Sequence, residues 1–288
     1  MKIIYQMHIS WFETEMALET LESVNKAVEY TTLPVEIKLC FNSQTFLEQP
    51  QQGTSEEMFR CLLEHPSYHE WDITWKTDND PFYNVGDWRR DCYDKDNWTV
   101  WGESDCLVPG AYFGVVEFAA YNLPFTSPFI LTIQQKKMWD ASWTPTEHTA
   151  LQGLTIEQVR AINNKFVTGE GYLSLTELNN FNEAFADQSQ IVETSYYKGD
   201  GALVCLSPNM PTPFIADGLH MCGEDTYFFG YCSKKQIKMY TVKNFMKGHN
   251  TGHPKKRLNR EVTPEHVDRF KQLDTQMRTL AWNSLNTL

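Results

Sequence analysis

The chain has 288 residues, of which 41% are hydrophobic, 14% aromatic and 22% charged, which excludes a disordered tail, a collagen-like rod and a disulfide-stapled mini-protein. The length suffices for one large domain with a substantial core. With 25 Lys+Arg against 37 Asp+Glu, the net charge of -12 argues against a protein that coats nucleic acid or anionic membrane through its whole surface. The seven cysteines never form CxxC, so reduced and mostly buried thiols are expected rather than a zinc ribbon or a disulfide framework. The opening stretch MKIIYQMHISWF is too short and polar for a signal peptide, and no run of about 18 apolar residues follows. A cytoplasmic protein without a membrane span is expected.

In chain order, residues 2–7 (KIIYQM) predict a buried strand, and Phe12, Met16, Leu21, Val24 and Val28 follow at helical spacing. Residues 35–41 (VEIKLCF) predict a second strand that stops at the polar pair Asn42-Ser43. A capped helix start is read at residues 54–57, a strand at 71–77, a short helix at 87–95 and a strand at 97–102. Further on, residues 112–121 predict a helix, 129–134 a strand, and 155–167 and 175–186 two polar-faced helices that form an insertion. A β-rich piece at 202–207 and a helical pattern over 263–286 complete the chain. Strands alternating with helices at this spacing indicate βαβ units and a mainly parallel sheet, whose ligands gather at the carboxyl ends of the strands.

Three constellations stand out against that frame. In Glu103-Ser104-Asp105 an apolar strand runs directly into two carboxylates, which supplies hard oxygen ligands for a divalent cation bridging a diphosphate; the alternative is a solvated acidic turn. Gly223-Glu224-Asp225 runs into an aromatic stretch, so its acids either cap a helix or supply a general base. Between Lys234 and Arg260 there are nine basic residues and no acid, leaving -21 for the rest of the chain against the total of -12. Within it, His249, His253, Lys255, Lys256 and Arg257 share a glycine-containing stretch suited to a loop over a diphosphate or metal, a merely solvated loop being the alternative. No P-loop, Rossmann glycine fingerprint or GxSxG elbow is present, so P-loop hydrolysis, typical dinucleotide redox chemistry and α/β-hydrolase catalysis lack support.

Taken in order, these motifs resemble the GT-A glycosyltransferases, especially the family-two-like group. The resemblance implies an α/β fold with a mainly parallel sheet flanked by helices: a catalytic domain over residues 1–262 with a helical insertion at 155–187, and a C-terminal helix at 263–288 packed on it. It implies that the strand–helix–strand unit ending at Asn42 helps to bind the nucleotide, and that the segment Asn84–Asp91 corresponds to the stretch preceding the DxD strand. Asp105, with Glu103 and either His249 or His253, would hold Mn2+ or Mg2+, while Arg89, Arg90, Lys255, Lys256 and Arg257 would face the diphosphate of a nucleotide-diphosphate sugar. Asp225, with Glu224 as the second choice, would be the base. Glu103 departs from the family pattern in standing where the first Asp of the triplet is usual, which makes Asp105 the firmer ligand. The acceptor implied is a soluble carbohydrate or small molecule, or DNA, through a resemblance to phage enzymes that glycosylate hydroxymethylated cytosine in the host cytoplasm. No obligate protein partner is implied. A nucleotidyltransferase and a catalytically silent nucleotide-sugar-binding module are the alternatives.

Overall fold

Residues Ile3–Ser10 are buried without a break, as a strand covered on both faces must be, and this strand (β1) lies at the heart of an eight-stranded sheet. The computed structural model describes residues 1–10, 13–42, 64, 72–76, 83–124, 127–133, 174–184, 186–194, 201–220, 222–243, 245–249 and 264–288. β1 is followed by helix α1 (Thr14–Val28), β2 (Val35–Asn42), β3 (Asp72–Lys76), α2 (Val85–Asp91), β4 (Trp98–Glu103), β5 (Cys106–Leu107), α3 (Tyr112–Asn122) and β6 (Phe129–Ile133). Then come α4 (Leu175–Ala184), β7 (Gln190–Thr194), β8 (Val204–Leu206), α5 (Glu224–Lys234), β9 (Lys238–Lys243), β10 (Gly248–His249) and α6 (Pro264–Asn286).

The sheet order is β3-β2-β1-β4-β8-β6-β9-β7. β1 pairs in parallel with both β2 and β4, and β6 in parallel with β9, whereas β8 and β7 run against their neighbours. The fold is therefore mixed α/β, with a mostly parallel central sheet flanked by helices. From β1 the chain first moves outward through β2 to β3 and then returns to β4 on β1's other side. A crevice opens at such a switch point beyond the carboxyl ends of the strands. The register there pairs His8 with Glu103.

Alternation of side chains gives the sheet two cores. Ile3, Tyr5, Met7, Trp98 and Val100 face α1 and α3, whereas Trp101, Ile130, Val204 and Leu206 join a cluster with α5 and α6. α6 contributes Met277, Ala281 and Leu285 to that second cluster. Close packing demands glycine where backbones or rings meet: a Cβ on Gly102 would lie 2.1 Å from the Tyr5 hydroxyl and 2.3 Å from Cζ of its ring. Gly102→Ala is therefore expected to overpack the centre of the sheet and cost about 1–3 kcal/mol. Chemical denaturation would register this as a lower midpoint at unchanged slope.

Boundaries differ from the expectations in instructive ways. The helix expected at 87–95 begins at Val85 because Asn84 and Asp87 form a capping box, and it ends at Asp91. β4 extends to Glu103, so the first acid of the triplet belongs to the strand itself. β7 and β9 had no counterpart in the sequence reading; in KMYTVK the lysines at both ends obscure a strand whose Met239, Tyr240 and Val242 are buried. The helices expected from residue 54 and over 155–167 lie outside the described residues, apart from Glu64. Among the described residues no helix is long and apolar enough to cross a membrane.

Candidate active site

Just past Glu103 the chain turns through Ser104 and Asp105 into β5, which pairs antiparallel with β10 so that His249 lies opposite Cys106. That two-stranded ribbon carries the late histidine to the acidic triplet. His249 Nε2 stands 3.1 Å from Glu103 Oε2 and 3.5 Å from Asp105 Oδ1. One ligand atom from each of the three residues lies within 4.8 Å of the others. The turn is pinned from α1, where the Thr20 hydroxyl donates to the Ser104 carbonyl at 2.8 Å. The Ser104 hydroxyl in turn donates to Glu13 at 2.9 Å.

Asp105 is buried, and Glu103 and His249 are half-buried. Burial pushes the Glu103 carboxyl upward, but the hydrogen bond and charge of His249, together with Arg89, outweigh it and hold the group below the ordinary carboxylate range. Two carboxylate oxygens and an imidazole nitrogen converging from one turn and one ribbon form a donor set that fits a divalent cation and leaves positions for a ligand's oxygens. Of the two late histidines, His249 joins this cluster, and His253 lies outside the described residues.

Arg89 reaches this cluster from α2. Its Nη2 donates to Glu103 Oε1 and its Nη1 to Glu224 Oε1, both at 2.7 Å, and the guanidinium lies 4.8 Å over the Trp101 ring. The expectation that Arg89 faces a diphosphate is corrected accordingly: the side chain is 1% exposed and both ends of its fork are engaged by carboxylates. Arg90 is likewise turned to Asp87 at 2.8 Å and Asp217 at 3.5 Å. Asn42 is buried and donates to the Tyr83 carbonyl at 2.9 Å.

Glu224 and Asp225 open α5, after Gly223 in the left-handed region at φ +79°. Burial pushes Glu224 up to about 7, with Asp225 adding to the shift and Arg89 opposing it. Asp225 is half-buried and accepts from the Thr226 backbone N–H at 2.6 Å. The sequence thus placed both acids at a helix N-terminus, and Arg89 links that terminus to Glu103.

The basic stretch does not form a continuous stripe over its described part. Lys234 is bonded to the Leu285 carbonyl, Lys238 pairs with Glu193 at 3.1 Å, and Lys247 is buried with its ammonium on the Ala202 carbonyl. Pairing and burial disperse these three cations. Lys255, Lys256 and Arg257 lie outside the described residues.

Sequence reasoning passed over two histidines beside the site. His220 Nδ1 lies 2.7 Å from buried Asp87, and the Gly86 N–H donates to the His220 carbonyl at 2.6 Å, tying α2 to the segment that leads into α5. His8 is buried in β1 opposite Glu103, and its Nε2 has no hydrogen-bond partner. The available signal was position: His8 stands near the carboxyl end of the first parallel strand, where ligands gather. Burial, reinforced by Arg89 and opposed by Asp87, lowers His8 to about 3. The unfolded chain therefore binds a proton near pH 6.5 that the folded chain refuses until about 3. Stability from this group is present above pH 6.5 and falls by up to about 1.4 kcal/mol per pH unit below it. His8→Gln is expected to flatten the acid limb of a stability–pH curve measured by urea unfolding between pH 4 and 7.

No protein-family model matches the chain, and no curated protein matches it. Among solved structures it is similar to S. aureus TarS 1-349, at TM-score 0.45 and 10% identity over 96% of this chain and 71% of that one. It is also similar to a longer S. aureus TarS structure, at TM-score 0.46 and 11% identity over 95% of this chain, spanning 39% of that protein. A third is TarS 1-349 in complex with UDP-GlcNAc, at TM-score 0.44 and 10% identity over 96% of this chain and 66% of that one.

Proposed function

We propose that the chain is a metal-dependent glycosyltransferase of GT-A type that moves a sugar from a nucleotide-diphosphate sugar to an acceptor hydroxyl. The observation that carries this reading is the convergence of Glu103, Asp105 and His249 at the switch point of a mostly parallel sheet. Support comes also from the carboxylate pair Glu224–Asp225, tied to the same cluster through Arg89. Bound Mn2+ or Mg2+ would supply neutralisation of the leaving diphosphate. Asp105, Glu103 and His249 would hold it. Asp225 would accept the proton of the acceptor hydroxyl as that oxygen attacks the anomeric carbon, giving inversion.

The acceptor is a carbohydrate or small molecule, or hydroxymethylated cytosine in DNA; the dispersal of Lys234, Lys238 and Lys247 favours the first over a polyanion. The test is to incubate the protein and Mn2+ with a panel of nucleotide sugars, with and without hydroxymethylated DNA, and to follow nucleoside diphosphate release and product mass. Metal-dependent release from at least one donor is expected. Absence of release and of thermal stabilisation by every donor would overturn the transferase reading, and pyrophosphate release from a nucleoside triphosphate would replace it with nucleotidyl transfer.

A further inference from the structure

Arg89 is among the largest fully buried side chains of the protein, and it comes from α2 rather than from a strand or ribbon that carries the acidic cluster. A guanidinium buried between two carboxylates gains little net stability unless its surroundings fix it. Here both Nη groups are held, while the buried Nε has no hydrogen-bond partner. Nη2 holds Glu103 Oε1 and Nη1 holds Glu224 Oε1 at 2.7 Å each, and the guanidinium lies over the Trp101 ring at 4.8 Å. Gly201 closes the remaining approach, since a Cβ there would lie 2.2 Å from both Nη atoms. With Oε1 of Glu103 committed to Arg89, Oε2 is the oxygen that faces His249 at 3.1 Å. With Glu224 committed to the other end of the fork, the first turn of α5 is held, and Asp225 with it.

We propose that Arg89 is a positioning residue that couples the cation site to the N-terminus of α5, so that Glu103 and the Glu224–Asp225 pair are aimed by one rigid fork. The inference rests on the transferase reading and adds to it that the two halves of the site are set jointly. A planar guanidinium can hold two carboxylates at fixed angles, whereas the single ammonium of lysine cannot, although the charge is the same. Glu224 thereby acquires an effect on the cation site without touching it.

The test is a double-mutant cycle on Mn2+ affinity, read by electron paramagnetic resonance of free Mn2+ with the full chain. R89K is expected to weaken Mn2+ binding about 10–100-fold, the usual effect of losing a residue that orients a metal ligand. E224Q is expected to change the affinity about threefold or more in the parent chain and to have no effect in the R89K background. Should R89K fail to fold by circular dichroism, Gly201→Ala displaces the guanidinium with every charge retained and takes its place in the cycle. Parent-like Mn2+ affinity in R89K, or additive effects of the two substitutions, overturns the coupling while leaving the transferase reading intact. A parent chain that neither binds Mn2+ nor releases nucleoside diphosphate overturns both.

Discussion

Asp105→Ala is expected to reduce metal-dependent turnover of the nucleotide sugar by about 10²–10³-fold, the scale set by removing one electrostatic stabiliser from a preorganised site. Asp105 is buried in the turn after β4, its Oδ1 is 3.5 Å from His249, and it belongs to the trio whose donor atoms lie within 4.8 Å of one another. Without it, Glu103 and His249 alone would hold the cation, and Glu103 is already shared with Arg89. The fold should survive. Asp105 and Glu103 repel each other, an effect that raises the Glu103 carboxyl, so removing one relieves like-charge repulsion in the unloaded protein. The combination to look for is an unchanged or slightly higher melting temperature with lost Mn2+ binding and lost nucleoside diphosphate release. Full turnover in Asp105→Ala would remove the triplet from the chemistry.

The strands of the parallel half were legible because most of their residues are buried: KIIYQM, VEIKLCF and NWTVWG are largely apolar runs of strand length bounded by polar turns. The same logic failed for β7, which sits at the sheet edge with partly exposed residues, and for β9, whose lysines conceal three buried positions. In the site, Glu103 and Asp105 were visible as adjacent acids at a strand end, since local sequence contains their spacing. The role of Arg89 was not. A basic residue in the last turn of a short helix looks exposed in sequence, and only the approach of α5 and the absence of a side chain at Gly201 make a buried seat for it. Within the basic stretch, charge counted along the chain does not show that Lys247 is buried and that Lys238 faces Glu193 across β9 and β7. Long-range pairing decides such cases, and no local pattern encodes it.

That distinction also separates the two acids of α5, and it leads to the second large effect. Asp225→Asn is expected to lower transfer to the acceptor by about 10²–10⁴-fold, the range for loss of a general base. Glu224 is buried and already bound by Arg89 at 2.7 Å, so an acceptor hydroxyl would have to compete with a charge-assisted hydrogen bond for it. Asp225 is half-buried at the first turn of the helix, where negative charge is favoured, and its Oδ1 is oriented by the Thr226 N–H at 2.6 Å. Asparagine keeps the size and the ability to accept at that cap while removing the basic oxygen. The substitution should therefore leave Mn2+ affinity and donor binding near those of the parent and act on kcat for transfer. Asp225→Asn that transfers at the parent rate, set beside Glu224→Gln that does not even at saturating Mn2+, would exchange the roles, making Glu224 the base and Arg89 the group that tunes it.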